Sequence, residues 1–400
     1  MGWTFPYCPD SPGFIQPVAG KALPRTAIAL VVNMKNFEHG GNIRQLAQAG
    51  GRLPGEILDF SANINPLGPP EWLRPMINSQ IQALQHYPDP HCTELVESVA
   101  ERYGVEPEEV IAGNGSTEIL YLLTRAAGKS SALVPVPSYA DYVKAARQAG
   151  MRIQTVPADQ DLPGNLLTAD TAVFLGRPNN PTGAVCPADA LRALAAEHPA
   201  TLFVVDEAFG DFVDDFDSLT RHRPANVLVL LSLTKIFAIP GLRTGCAVGD
   251  ARLIQRLLEL QPPWSVNTFA QVVSTAALRD REFVQRTRAY VTRERASLFA
   301  ALSSITGLEV EPGQANFLLA RINRSGMDAP ALARQLLSHG IAIRVCTNFA
   351  GLDARHFRVA VRTSAENARL IATLRSVLEV QPALASSRAA GAFVARSSIR

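Results

Sequence analysis

Four uninterrupted apolar runs decide what this chain can fold into: Leu133–Val136, Ala172–Leu175, Leu202–Val205 and Val227–Leu231. Each is short, bounded by turn residues, and lacks the polar alternation of a strand with one wet face. Strands covered on both faces read this way, and they pair in parallel beneath layers of helix. Segments with helical spacing lie among them: Thr117–Ala127, Asp141–Gln148 and Ala188–Glu197. The fold class is therefore predicted as α/β, with a mostly parallel sheet flanked by helices in a large domain over residues 76–275.

The texture changes after residue 276. A long helical pattern runs from Arg281 to Ser303, followed by strand-like pieces at Asn316–Ala320, Ile341–Val345 and Phe357–Val361. Helices are predicted at Pro330–Ser338 and Ala365–Val377. This α+β pattern marks a smaller domain over 276–380, and the segment 36–75 is expected to pack with it. Residues 1–35 carry prolines at 6, 9, 12, 17 and 24 and no sustained periodicity. They read as a disordered extension or as a start codon assigned too early, with Met34 as the alternative start. The tail 381–400, rich in Ala, Ser and Arg, is expected to fray.

Composition excludes several classes. Hydrophobic residues make up 47% and charged residues 18% of the chain, enough to build a core. The net charge of +2 (38 basic against 36 acidic side chains) argues against a nucleic-acid partner. The most apolar early run, Ala27–Val32, is far shorter than the roughly 20 residues needed to cross a bilayer, so no membrane partner is expected. Five cysteines, an odd number with no CxxC pair, give neither a disulfide framework nor a zinc ribbon. A reducing, cytoplasmic location follows. His86, His91 and Cys92 lie close in sequence, but intervening prolines and the lack of a second cluster make a loop the expected reading, and no metal is predicted.

Five features fall at predicted strand ends, where open α/β sheets bind ligands. In Ser232-Leu233-Thr234-Lys235 a partly desolvated lysine would have a lowered pKa and offer a neutral amine to a carbonyl. Arg243, in Pro-Gly-Leu-Arg-Thr-Gly, has glycines on both sides and a guanidinium suited to phosphate. Asp206 ends a buried strand, where a carboxylate is costly unless a cation sits against it. Pro178-Asn179-Asn180-Pro181-Thr182-Gly183 makes a tight turn able to present an amide. Gly113-Asn114-Gly115-Ser116-Thr117 leads a strand into a helix whose first N–H groups form an anion site. It matches neither a P-loop nor a full GxGxxG. Tyr139 could lay an aromatic face on a planar ligand. Taken singly, each also reads as an ordinary turn, cap or solvated strand end.

Taken in order, the set resembles the fold type I pyridoxal-phosphate enzymes, the aspartate aminotransferase superfamily, over about residues 39 to 378. The resemblance implies pyridoxal 5'-phosphate as cofactor and Lys235 as the catalytic lysine that carries it. Asp206 would pair with the pyridine nitrogen, Asn180 would bond the ring hydroxyl, and Tyr139 would stack on the ring. The Gly115–Ser116 backbone, Ser232, Thr234 and Arg243 would hold the cofactor phosphate. Tyr87, in His86-Tyr87-Pro88-Asp89, matches a tyrosine that reaches the neighbouring subunit's cofactor, which implies a homodimer.

Within the superfamily the chain resembles the histidinol-phosphate aminotransferases and their relatives, the threonine-phosphate decarboxylases of cobalamin biosynthesis. His39-Gly40-Gly41-Asn42-Ile43-Arg44, the run Asp59 to Gly68, and Pro263-Trp264-Ser265-Val266-Asn267 are similar to the decarboxylases. Phe209, in Asp206-Glu207-Ala208-Phe209, stands where related aminotransferases usually carry a tyrosine that donates to the ring oxygen. Arg344 and Arg358 remain for the substrate, and bidentate forks suit both a carboxylate and a phosphate. By resemblance both face the substrate beside Asn180, while His39 and Asn65 help hold its phosphate. Arg362, four residues beyond Arg358, is either a ligand or a structural ion pair. The implied reaction is decarboxylation of L-threonine O-3-phosphate, with a histidinol-phosphate or related aminotransferase as the alternative. A pyridoxal-phosphate-sensing transcription regulator would need a helix-turn-helix domain ahead of residue 39, and the short N-terminal segment is not expected to hold one.

Overall fold

The computed structural model describes residues 39–379; the expectations for the N-terminal extension and for the tail from 381 lie outside the described residues. After a short strand β1 (Leu58–Asp59), seven strands build the main sheet: β2 (Val110–Gly113), β3 (Ser131–Val136), β4 (Arg152–Pro157), β5 (Thr171–Gly176), β6 (Leu202–Asp206), β7 (Val227–Leu231) and β8 (Gly245–Val248). Their order is β2-β8-β7-β6-β5-β3-β4, and only β8 runs against the rest. The four apolar runs are β3, β5, β6 and β7, central strands whose side chains are almost all buried. The helices Ser116–Ala126, Ala140–Gln148 and Ala251–Leu260 pack Ile119, Leu123, Tyr142, Ala145, Ile254 and Leu257 onto the sheet.

This topology brings the scattered motifs to one edge. The C-terminal ends of β2, β3, β5, β6 and β7 all point the same way, and β8, being reversed, begins there. Residues just after β2 (Gly115, Ser116), β3 (Tyr139), β5 (Asn180) and β7 (Ser232 to Lys235) therefore meet Asp206 at the end of β6 and Arg243 just before β8. Five parallel strands and one reversed one place six motifs around a single crevice.

A second, antiparallel sheet holds β9 (Leu308–Val310), β10 (Phe317–Ile322), β12 (Arg344–Val345) and β13 (His356–Ala360) in the order β12-β13-β10-β9. Between them β11 (Ile341–Ala342) pairs in parallel with β1. The run expected as one strand, Ile341–Val345, is thus two, because its halves serve different sheets. Leu46, Ala47 and Ile57 pack on Leu337 and Ala342, so burial as well as pairing joins the residues around β1 to those around β11. The helix Arg281–Ser303 begins where expected: the Asp280 carboxylate accepts the Phe283 N–H at 3.0 Å and the Trp72 indole N–H at 2.7 Å.

Candidate active site

The crevice is a cavity of about 480 Å³. Of the residues expected at the site, His39, Ser116, Tyr139, Asn180, Asp206, Ser232, Lys235, Arg243, Arg344 and Arg358 line it, as does Phe209. Gly115 and Thr234 stand directly behind the wall.

An anion cradle forms at the start of the helix Ser116–Ala126. Gly115 adopts φ +82, and a Cβ there would lie 2.6 Å from Nη2 of Arg243. A Cβ on Gly245 would lie 2.2 Å from the Ser116 nitrogen. Only glycine lets the helix N-terminus, β8 and the Arg243 guanidinium approach this closely. Ser232 Oγ and Thr234 Oγ1, 2.9 Å apart, add hydroxyls on the adjoining side.

Burial, reinforced by the positive charges of Arg243 and Arg358 and only partly offset by Asp206, lowers the Lys235 ammonium to about 8. The amine is thus available in neutral form near physiological pH. Asp206 sits deeper, where burial raises its pKa. Its two oxygens accept the Tyr142 hydroxyl at 2.9 Å and the Ala208 N–H at 3.0 Å. Tyr142 is fully buried, with Tyr139 edge-on at 5.5 Å, so its donor cannot turn to water.

On the opposite wall Arg358 and Arg344 are each 5% exposed. Arg358 donates from Nη1 to Asn180 Oδ1 and from Nη2 to the Ser61 carbonyl at 3.2 Å, over the Phe317 ring. Desolvation lowers its pKa to about 10. Arg344 reaches the Val345 carbonyl and, at 2.7 Å, Asn348 Oδ1. Phe209 presents a ring edge-on to Phe317 at 5.0 Å, with no hydroxyl to offer. His39 lies at the rim, half exposed, 3.7 Å from the Asp141 carboxylate.

Three of the residues singled out in the sequence lie off the cavity wall. Asn65 does not line the cavity. Its amide nitrogen donates to the Ile236 carbonyl and to Thr287 Oγ1, and its oxygen accepts the Leu67 N–H, so it braces the segment behind Lys235. Asn63, two residues earlier, lines the cavity instead; it is buried and its carbonyl oxygen has no partner. Sequence reasoning named Asn65 because Asn63 and Asn65 alternate in one motif and only backbone geometry tells which faces the cavity. Arg362 is structural: β13 ends at Ala360, the strand face it would have shared with Arg358 is lost, and Arg362 pairs with Glu366 at 2.9 Å. Tyr87 is likewise absent from this cavity; it is 80% exposed and stacks on Trp264 at 4.7 Å. In the His86 to Cys92 loop Asp89 accepts N–H bonds from His91 and Thr93, which shapes a turn.

A cavity with a lysine amine poised near neutrality, a carboxylate beneath it, an anion cradle at one end and two buried guanidinium groups at the other fits a phosphorylated, planar, cationic-ring cofactor together with an anionic substrate. The aminotransferase class I and II pattern matches residues 55–374. The chain is 38% identical to threonine-phosphate decarboxylase of Salmonella typhimurium, over 86% of this chain and 97% of that one. It is 32% identical to histidinol-phosphate aminotransferase of Methanothermobacter thermautotrophicus, over 87% and 96%. The crystal structure of L-threonine-O-3-phosphate decarboxylase from Porphyromonas gingivalis matches with a TM-score of 0.75 at 27% identity, over 80% of this chain and 99% of that one.

Proposed function

Because the chain belongs to the aminotransferase class I and II family, we propose that it is a pyridoxal-phosphate-dependent decarboxylase. It converts L-threonine O-3-phosphate into (R)-1-aminopropan-2-ol O-2-phosphate and carbon dioxide, for the nucleotide-loop linker of cobalamin biosynthesis. The observation that carries the reading is the pair of buried guanidinium groups left once the cofactor phosphate is matched, with an imidazole at the rim. Arg344, Arg358 and His39 face the cavity that holds Lys235. A substrate bearing both a carboxylate and a phosphate needs such a set. The higher identity to a decarboxylase than to an aminotransferase, and Phe209 in place of a hydroxyl donor, agree.

Pyridoxal phosphate, when bound, supplies a conjugated, protonated pyridine that withdraws electrons from the substrate's Cα. Each side chain then has a task. Asp206, held by Tyr142 and Ala208, retains a proton at the pyridine nitrogen. Gly115, Ser116, Ser232, Thr234 and Arg243 grip the cofactor phosphate, Tyr139 covers the ring and Asn180 bonds its hydroxyl. Arg358 and Arg344 would bind the substrate's anionic groups and so select which bond at Cα is presented for cleavage; His39 and Asn63 would help seat its phosphate. The Lys235 amine returns a proton to Cα once carbon dioxide has left.

The enzyme acts as a homodimer in this reading, with the exposed Tyr87 reaching a second copy's cofactor phosphate. In this reading residues 76–275 are the large domain and 276–380 the small one, and the pairing of β1 with β11 supports packing the segment 36–75 with the latter. Among the described residues Cys92, Cys186, Cys246 and Cys346 are free thiols, which suits the reducing cytoplasm.

The test is to supply cofactor-loaded protein with carboxyl-labelled L-threonine O-3-phosphate and no oxo acid. Sustained release of labelled carbon dioxide is expected. No release, with amino transfer from histidinol phosphate to 2-oxoglutarate, would make the protein an aminotransferase.

A further inference from the structure

We propose that the buried Arg177–Glu207 ion pair is a positioning clamp that fixes Asn180 against Asp206 and so sets the grip on the cofactor ring. The inference rests on the cofactor reading above and extends it to two residues outside the cavity wall. Arg177 directly follows β5 and Glu207 directly follows β6. Arg177 Nη1 stands 2.9 Å from Glu207 Oε1, with the two side chains 3% and 1% exposed. The backbone closes the same ring, since the Arg177 N–H donates to the Asp206 carbonyl at 2.8 Å.

The pair is satisfied by directional bonds on every side. Arg177 Nε donates to the Cys186 carbonyl at 2.7 Å and Nη1 to the Asp217 carbonyl at 2.8 Å, while Phe216 covers the guanidinium at 4.4 Å. Glu207 accepts the Leu219 N–H at 3.0 Å and the Ser218 hydroxyl at 2.5 Å. The turn carrying Asn180 is thereby tied at both ends: at Arg177 to the end of β6, and at Cys186 back to the same guanidinium. Asn180 lies three residues beyond Arg177, and Asp206 is bonded to Glu207 through one peptide.

A buried ion pair is a poor way to gain stability, because a pair of apolar side chains serves about as well without the cost of desolvating two charges. What an apolar pair cannot do is fix the spacing of two strand ends through forked, directional bonds. Misplacing a contact by about 1 Å can cost on the order of a hundredfold in activity. Neither residue lines the cavity, so neither is catalytic.

The experiment compares the wild type with the double variant Arg177→Met/Glu207→Gln. It reads apoprotein melting temperature, pyridoxal phosphate affinity by fluorescence titration, and kcat and KM separately. Each single variant strands a group of the network and should melt earlier than the double variant. The double variant should fold yet bind the cofactor about tenfold to a hundredfold more weakly, with kcat falling and KM little changed. Wild-type affinity and kcat in the folded double variant would overturn the clamp and leave the pair merely structural. If the double variant does not fold, Arg177→Lys, which keeps the charge but loses the fork, carries the test with the same two outcomes. Failure of the wild type to bind pyridoxal phosphate would refute the cofactor reading itself, a result separate from any difference between variants.

Discussion

Holding an ammonium in this cavity should cost the empty protein stability, by an amount that depends on pH. The Lys235 pKa falls from its ordinary 10.5 to about 8, mainly through burial, with Arg243 and Arg358 adding repulsion. That drop corresponds to about 3 kcal/mol of destabilisation wherever the amine is charged in both states. The sign follows from proton counts. Below pH 8 folded and unfolded chains both carry the proton and the full cost is present. Between pH 8 and 10.5 the unfolded chain binds more protons, so raising the pH relieves the cost. Lys235→Met removes the titrating group and leaves a side chain of similar length. The cofactor-free variant should therefore exceed wild type in urea-unfolding free energy at pH 7, and that advantage should shrink by about 2 kcal/mol at pH 10. Titrations of groups that do not feel Lys235 occur in both proteins and cancel in the difference. A difference that stays constant with pH, or grows toward pH 10, would refute the account of Lys235 as a desolvated, repelled amine.

Further outcomes follow from the same geometry. Gly115→Ala forces a side chain into φ +82 and against Arg243, so cofactor affinity, measured by equilibrium dialysis, should drop at least about tenfold. Asn63→Ala should raise KM for the phosphorylated substrate with little change in melting temperature, whereas Asn65→Ala, which strands the Ile236 carbonyl and Thr287, should lose about 2 kcal/mol on urea unfolding. Phe209→Tyr should lower the pKa read from the visible absorbance of the holoenzyme, since a new donor to the ring oxygen favours its anionic form; an unchanged pKa would separate Phe209 from the tuning of the ring.

Much of this fold was legible because burial writes itself into sequence most clearly in central strands. The runs at β3, β5, β6 and β7 are apolar because helices cover both their faces, and the helices Ala188–Glu197 and Arg281–Ser303 fell on the expected residues. The edge strand β4 escaped notice because Arg152 and Gln154 meet solvent and break the apolar run. Strand β8 escaped because Gly, Cys and Ala lack the β-branched and aromatic bulk that marks the other short runs as strands. The motifs at the crevice were readable one by one, and parallel strand ends unite five of them; what adds Arg243 is the reversal of β8, a property of topology that no local spacing encodes. The same limit explains Asn63 and Arg362: both depend on where a strand or bend ends, which a periodic reading extends too far. Tyr142 and the Arg177–Glu207 pair left a fainter signal still, since a buried polar residue behind a strand end looks in sequence like any polar residue on a loop.

Charge shows why the crevice is built for anions rather than merely tolerant of them. Lys235, Arg243, Arg344 and Arg358 line it against only Asp59 and Asp206, four cations to two carboxylates. Asp59, which accepts the Ser61 N–H and hydroxyl, and Asp206, held by Tyr142 and Ala208, offset this positive charge only in part. Arg243 and Arg358 add to burial in lowering the Lys235 pKa, whereas burial is the main cause at Arg358, where Cys346 and Asp59 counter the repulsion from Arg344. An anion at the cradle beside Arg243 removes repulsion felt by Lys235, and a second anion at Arg344 and Arg358 removes most of the rest. Between themselves the two anions repel, because each lowers the positive potential that draws in the other. Substrate phosphate and carboxylate should accordingly loosen, rather than tighten, the electrostatic hold on the cofactor phosphate, by an amount that shrinks with added salt. The cost that Lys235 imposes on the empty fold is then returned in two steps as the site fills.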